Sequence, residues 1–251
     1  MNKKTSGEPR EYIPPSVSPH FFIGTIAHSD VDVSTCLCIQ TLRLTGHDFN
    51  WIIMDYGGNS RTRNILMTQF LRQEWGNSAY MIFIDRDIAF NPEHVDMILE
   101  DLQNGYQFVG GLYGVRDSRH FAQWNKSGFD IDGTVKPIDW VATGFSGVTR
   151  KLLQKMVKEL DLPLLHKGEP VEFYPFGEQQ RYKTPEGNDM WLSEDYDFCN
   201  KVRKVKEKSY LDTRVTVGHI GTKLITCKDV MANLQKEKEE NNIPTLKLAK
   251  E

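Results

Sequence analysis

The chain has 251 residues, 39% of them hydrophobic and 26% charged, so one large α/β domain can bury its own core without disulfides or a structural metal. A formal net charge of -3 excludes a global basic footprint, and any nucleic acid would have to be met by a local surface. The cysteines, Cys36, Cys38, Cys199 and Cys227, have neither zinc-ribbon spacing nor the density of a stapled scaffold, which predicts free thiols.

Residues 1–19 are polar and punctuated by Pro9, Pro14, Pro15 and Pro19, which predicts a flexible arm without the apolar core of a signal peptide. No later stretch approaches the roughly 18 uninterrupted apolar residues of a spanning helix, so the expected location is cytoplasmic. The apolar run from His20 to Ile26 predicts the first buried strand, Val33 to Leu44 a helix, and Phe49 to Met54 a second strand. A turn at Gly57-Gly58-Asn59 leads into an amphipathic helix near Arg61 to Glu74. The third strand, Tyr80 to Ile84, runs directly into Asp85-Arg86-Asp87, and a helix over Pro92 to Gln103 precedes a strand over Phe108 to Leu112. Strand and helix alternate, which predicts an α/β fold with a mostly parallel, Rossmann-like sheet flanked by helices.

Between Gly114 and Lys136 the pattern changes to short polar-aromatic pieces with a turn at Asp132-Gly133, as expected of a hairpin over a mixed sheet. Ile138 to Val148 is apolar with small residues, and Arg150 to Leu160 has helical spacing. Asp161 to Asp189 has no clear period and reads as a long lid or substrate loop. A helix over Glu194 to Lys206 and a strand over Tyr210 to Val217 follow. Residues 20–222 are expected to form one domain, and 223–251 a charged helical tail in which Lys236 to Glu240 is a solvated face.

The acids Asp85 and Asp87 carry the chemical argument. Side chains two apart on an extended segment share a face, so both carboxylates converge past the carboxyl end of an apolar strand, where open α/β sheets bind ligands. A hard divalent cation, Mn2+ or Mg2+, would relieve their repulsion and bridge them to a diphosphate. The bland alternative is a turn or helix cap, which Asp-x-Asp often marks.

Ser193-Glu194-Asp195 reads as an N-cap followed by two acids that favour the helix dipole, and equally as a base held at a helix start to take a proton from an acceptor hydroxyl. His219 ends an alternating stretch and is either a satisfied histidine or the imidazole of an oxygen-rich metal site. The segment from Gly57 to Asn64 joins a strand to a helix, so its backbone amides, Arg61, Arg63 and Asn64 are candidate contacts for an anionic cosubstrate. No phosphate-cradling Gly-x-x-x-x-Gly-Lys-Ser/Thr loop or Gly-x-Gly-x-x-Gly fingerprint is present, which disfavours kinase-like and nicotinamide-dependent chemistry.

In order, Phe83 to Phe90, Val109 to Tyr113, Trp140 to Phe145, Leu192 to Cys199 and Gly218 to Thr222 resemble the GT-A glycosyltransferases, in particular family two and its viral and bacterial relatives. The likeness spans about Phe21 to Thr222. It implies a metal-dependent transfer of a sugar from a nucleotide-diphosphate donor, a UDP-sugar being favoured, to an acceptor hydroxyl with inversion. Asp85 and Asp87 would then hold Mn2+ or Mg2+ and the donor diphosphate, and His219 matches the late metal-ligand histidine. Asp195 matches the base, Glu194 the acceptor side, Thr25 and Asp55 the nucleoside side, and Gly144 the space for the donor sugar. Arg86 departs from the smaller or uncharged residue frequent inside the motif. The acceptor is open among a glycan, a protein and a hydroxymethylated DNA base; for the last, the segment Arg116 to Lys136 with Arg119, Trp124, Lys126 and Phe129 would offer a stacking surface. If the chain is viral, the location implied is the host cytoplasm. Two other readings remain: a haloacid dehalogenase-like phosphatase with Asp85 as nucleophile, and a binding module that holds nucleotide sugars without turning them over.

Overall fold

A computed structural model of the chain describes residues 19–241 apart from 73–76, 116–119, 184–186, 188 and 222–223. The expected arm, save its last residue, the end of the tail and Arg116 and Arg119 lie outside the described residues. In chain order the elements are β1 (Phe21–Ile26), α1 (Val33–Leu44), β2 (Phe49–Met54), α2 (Asn59–Leu71), β3 (Tyr80–Ile84), β4 (Ile88–Ala89), α3 (Pro92–Gln103), β5 (Phe108–Leu112), β6 (Val135–Ile138), β7 (Phe145–Thr149), α4 (Arg150–Glu159), β8 (Gln180–Lys183), β9 (Asp189–Leu192), α5 (Glu194–Lys204), β10 (Ser209–Thr216), β11 (Gly218–Ile220), β12 (Leu224–Ile225) and α6 (Cys227–Asn241).

The central sheet has the order β2-β1-β3-β7-β5-β10-β6. β1 pairs in parallel with β2 and β3, and β5 with β10, while β7 runs antiparallel between β3 and β5 and β6 antiparallel at the far edge. The direction is therefore mostly parallel, as the alternation predicted. Residue alternation along β1 sends Phe22 to one side and Phe21 and Ile23 to the other. On the first side Phe22 packs with Leu66 and Phe70 of α2, Leu152 and Met156 of α4, and Phe198 and Val202 of α5. On the second, Phe21 and Ile23 pack with Ile39 and Leu42 of α1 and Ile98 and Leu99 of α3. Burial of these faces, rather than helix propensity, fixes the layers.

Local caps set the helix starts that matter for the site. Ser193 accepts from the Tyr196 amide at the start of α5, and Thr149 caps α4 by accepting from the Leu152 amide. α2 begins at Asn59, two residues earlier than expected, because Gly57 and Gly58 adopt φ of 75° and 127°, which other residues rarely reach.

One expectation is corrected and two are sharpened. In the segment after Gly114, Gly114 bridges Phe121, Trp124 bridges Trp140, and β6 completes the edge of the mixed sheet antiparallel to β10. The long loop carries the antiparallel ribbon β8–β9, whose polar composition hid its alternation. The described part of the expected tail includes β12, which pairs with β11, and the helix α6, of which Cys227 and Val230 are buried. Among the described residues no helix is long and apolar enough to cross a membrane.

Candidate active site

Asp85 follows β3 directly, and its amide donates to the Gly144 carbonyl just ahead of β7, at 2.8 Å. The carboxylate is gripped from α2: Arg63 Nη2 donates to Oδ1 at 3.0 Å and to Oδ2 at 2.9 Å. The other arm of the same guanidinium, Nη1, donates to Asp195 Oδ1 at 3.1 Å and to the Thr143 hydroxyl, which in turn donates to the same Asp195 oxygen. Three elements distant in sequence thus converge on one cation.

Arg63 is only 5% exposed. Burial acts to lower its pKa, but the carboxylates of Asp85, Asp195 and Glu194 overcome that and hold it above its ordinary value. Its Nε–H has no hydrogen-bond partner among the described residues, so one buried donor is left over in a site lined also by Thr143, Glu194 and Asp195. The Tyr113 phenol, which accepts from the Gly144 amide at 2.9 Å, is pushed well above its usual value by burial and then by the charges of Asp85 and Asp195.

Gly144 is a steric requirement here. A Cβ at this position would meet Tyr113 Oη at 2.5 Å and Asp85 Oδ2 at 3.0 Å, so a larger residue would displace the acid.

The other end of the acidic motif faces a different partner. β11 pairs with β4 so that His219 lies opposite Ile88, next to Asp87. His219 Nδ1 is 2.9 Å from the Gly114 carbonyl, which only accepts, so this nitrogen carries the proton. Nε2 then faces Asp87 Oδ1 at 3.5 Å, and both groups are nearly buried. With a neutral imidazole, Nε2 and the Asp87 carboxylate would offer two ligand atoms to one cation, and the Gly114 carbonyl fixes the ring orientation; with a protonated imidazole the same contact is an ion pair. Asp85 points instead to Arg63, so among the described residues no group of three His, Cys, Asp or Glu side chains converges. Arg86 turns out of the motif to Asp30 Oδ1 at 2.7 Å, which leaves the acids on either side of it undisturbed.

The remaining expected residues divide. Glu194 is buried beside Asp195 at the start of α5, with Gln179 Nε2 3.5 Å from its Oε2. Asp55 is at the open carboxyl end of β2, where it accepts from the Gly57 amide at 3.1 Å and meets His28 Nδ1 at 3.1 Å. Hydrogen bonds donated to the Asn59 and Asp55 side-chain oxygens raise the His28 pKa. Thr25 is fully buried; its hydroxyl accepts from Trp51 Nε1 and donates to the Ile84 carbonyl. Asn64 ties α2 to the long loop through both backbone groups of Gly177 at 2.9 Å, and Arg61 lies 5.9 Å from the Phe173 ring. Thr143 and Tyr113 were not singled out from the sequence. The available signal was a lone hydroxyl before Gly144 within an apolar stretch, and a tyrosine at the end of β5.

No protein-family model matches the chain, and no curated protein matches it. Among solved structures, the crystal structure of A197 from STIV is similar to it at 15% identity with a TM-score of 0.53, over 82% of this chain and 93% of that one. The two share a fold. The mixed α/β, Rossmann-like architecture described above is therefore one that occurs elsewhere, and at this identity the likeness speaks to the fold alone.

Proposed function

We propose that the chain is a metal-dependent glycosyltransferase that moves a sugar from a nucleotide-diphosphate donor, with a UDP-sugar favoured, to an acceptor hydroxyl with inversion. The observation that carries this reading is the joining of Asp85 and Asp195 through Arg63, immediately beside the facing pair Asp87 and His219. Acids from the end of β3 and the start of α5 meet at the carboxyl edge of the sheet, where a donor and an acceptor can be brought together.

Asp195 is the base. Arg63 and Thr143 both bond to its Oδ1, which fixes the carboxylate plane and leaves Oδ2 for the acceptor hydroxyl. Asp87 and His219 would hold Mn2+ or Mg2+, with Asp85 joining them if it exchanges Arg63 for the cation; such a cation would neutralise the charge that develops on the departing phosphate. Arg63 offers its unused Nε–H to the same anion, as a buried guanidinium among carboxylates can exchange one acid for a phosphate oxygen. Gly144 has no side chain to push Asp85 or Tyr113 out of place, and Glu194, which lines the same pocket as Asp195, would face the acceptor.

The phosphatase reading is disfavoured because both oxygens of Asp85 accept from Arg63, which makes that carboxylate a poor nucleophile. The test is nucleotide diphosphate release from a panel of nucleotide sugars with Mn2+, with and without candidate acceptors. Release that Asp195→Asn abolishes supports the transferase. Metal-dependent binding without release supports the binding module, and a trapped phospho-aspartate at Asp85 supports the phosphatase.

A further inference from the structure

Tyr113 and Gly114 follow the last residue of β5 and are tied to opposite halves of the site. On one side the Tyr113 hydroxyl accepts from the Gly144 amide at 2.9 Å, and the Gly144 carbonyl accepts from the Asp85 amide at 2.8 Å. Gly144 is thus held at both of its backbone groups. On the other side the Tyr113 ring meets the His219 imidazole edge-on, with centroids 5.7 Å apart and planes at 84°, and the Gly114 carbonyl accepts from His219 Nδ1 at 2.9 Å. The Tyr113 backbone is fixed in turn. Its carbonyl accepts from the Ala122 amide at 3.0 Å, and its amide donates to Gln123 Oε1 at 3.4 Å, while Gln123 Nε2 donates to the Gly111 carbonyl at 2.6 Å.

Packing alone does not call for a tyrosine here. Tyr113 is 5% exposed in a cluster with Ala142, Phe145 and Val217, where a phenylalanine would fill the same space without carrying a hydroxyl out of water. What the hydroxyl adds is an acceptor for the Gly144 amide, beside the point where a Cβ would strike both Tyr113 and Asp85.

We propose that Tyr113 is a positioning residue whose hydroxyl sets Asp85 through Gly144 and whose ring sets His219, an inference that rests on the transferase reading above. One side chain then fixes the separation between the carboxylate held by Arg63 and the imidazole that faces Asp87. Tyr113 acts through these neighbours and needs no contact with a reacting atom. Its two contacts are separable. Removing the hydroxyl leaves a buried amide without its acceptor and frees Gly144 and Asp85 to shift, while His219 keeps both the ring contact and the Gly114 bond. Removing the ring releases both halves.

The experiment compares the wild-type chain with Tyr113→Phe and Tyr113→Leu. It measures Mn2+ affinity by calorimetry without nucleotide, kcat and KM for nucleotide diphosphate release from a UDP-sugar, and thermal denaturation. The expected result for Tyr113→Phe is a kcat lowered about tenfold with Mn2+ affinity unchanged, and for Tyr113→Leu a loss of about tenfold in both. Tyr113→Phe is nearly isosteric and decides the matter if Tyr113→Leu does not fold. Wild-type kcat in Tyr113→Phe, or wild-type Mn2+ affinity in a folded Tyr113→Leu, would overturn the proposal. So would activity that returns to the wild-type level once each variant is assayed well below its own melting temperature, because the role would then be stability alone. A wild type that neither binds Mn2+ nor releases nucleotide diphosphate removes the transferase reading and this inference with it; variants indistinguishable from an active wild type remove this inference alone.

Discussion

Arg63 reaches Asp195 across 132 residues of chain, with Nη1 3.1 Å from Oδ1, and the same guanidinium holds both oxygens of Asp85. A buried cation shared by two acids couples the end of β3 to the start of α5, which in the proposed function are the donor and acceptor sides. It also makes Arg63 a structural keystone, because removing it leaves carboxylates facing one another in a poorly solvated space.

Arg63→Met should therefore destabilise the protein by about 3–5 kcal/mol, as breaking a buried ion pair does, with Arg63→Lys intermediate because one ammonium cannot satisfy two acids bidentately. Urea denaturation at neutral pH measures this. A loss under about 1 kcal/mol for Arg63→Met would mean that the guanidinium is not holding the site together.

Asp195→Asn keeps the shape and the Thr143 contact but cannot take a proton. Transfer should fall by about 10²–10⁴-fold while donor affinity is retained. Steady-state transfer rates and donor titration separate the two effects, and near-normal turnover in the variant would remove Asp195 from the role of base.

Gly144→Ala introduces a Cβ 2.5 Å from Tyr113 Oη and 3.0 Å from Asp85 Oδ2. Overpacking of this kind costs about 1–3 kcal/mol, and here it also moves the acid, so donor binding should weaken by more than the stability loss explains. Thermal denaturation combined with donor titration checks both; unchanged donor affinity would show that Asp85 does not need this space.

Much of the fold was legible because apolar strands such as Phe21 to Ile26 and Tyr80 to Ile84 are bounded by turns and separated by helical spacing. The candidate site was legible in part where chemistry and position coincide: Asp85 directly follows β3 and Asp195 lies in the first turn of α5, elements that their sequence patterns define. Thr25 and Asn64 show the limit. Each stands at the right edge of the right element, yet one hydroxyl is turned to Ile84 and Trp51 and one amide to Gly177, contacts that depend on partners 26 to 113 residues away. β7 was missed for a similar reason, since a short stretch of apolar and small residues becomes a central strand only when β3 and β5 are there to pair with it.

Away from the site, Asp101 of α3 is 2% exposed and shares Arg214 with the fully buried Asp212 of β10. Burial first, and then the neighbouring Asp212, push Asp101 up to about 8 from an ordinary 3.8. A raised folded-state pKa means that the folded protein holds the proton more tightly than the unfolded chain. The associated stability is complete below pH 4 and is lost as pH rises toward 8. Asp101→Asn, which mimics the protonated acid, should flatten that decline and stabilise the protein at alkaline pH. Denaturant unfolding at pH 5 and pH 9 tests this, and an equally steep decline in the variant would rule out Asp101 as its source.

The central claim is that the pair Asp87 and His219 holds a divalent cation that carries a nucleotide sugar. Its most direct test is calorimetric titration of UDP-sugars into the folded chain with Mn2+ or with EDTA. The account predicts binding only with the metal, and a loss of metal affinity of about 10–100-fold or more in His219→Ala. Donor binding of equal strength in EDTA, or none under either condition, would contradict it.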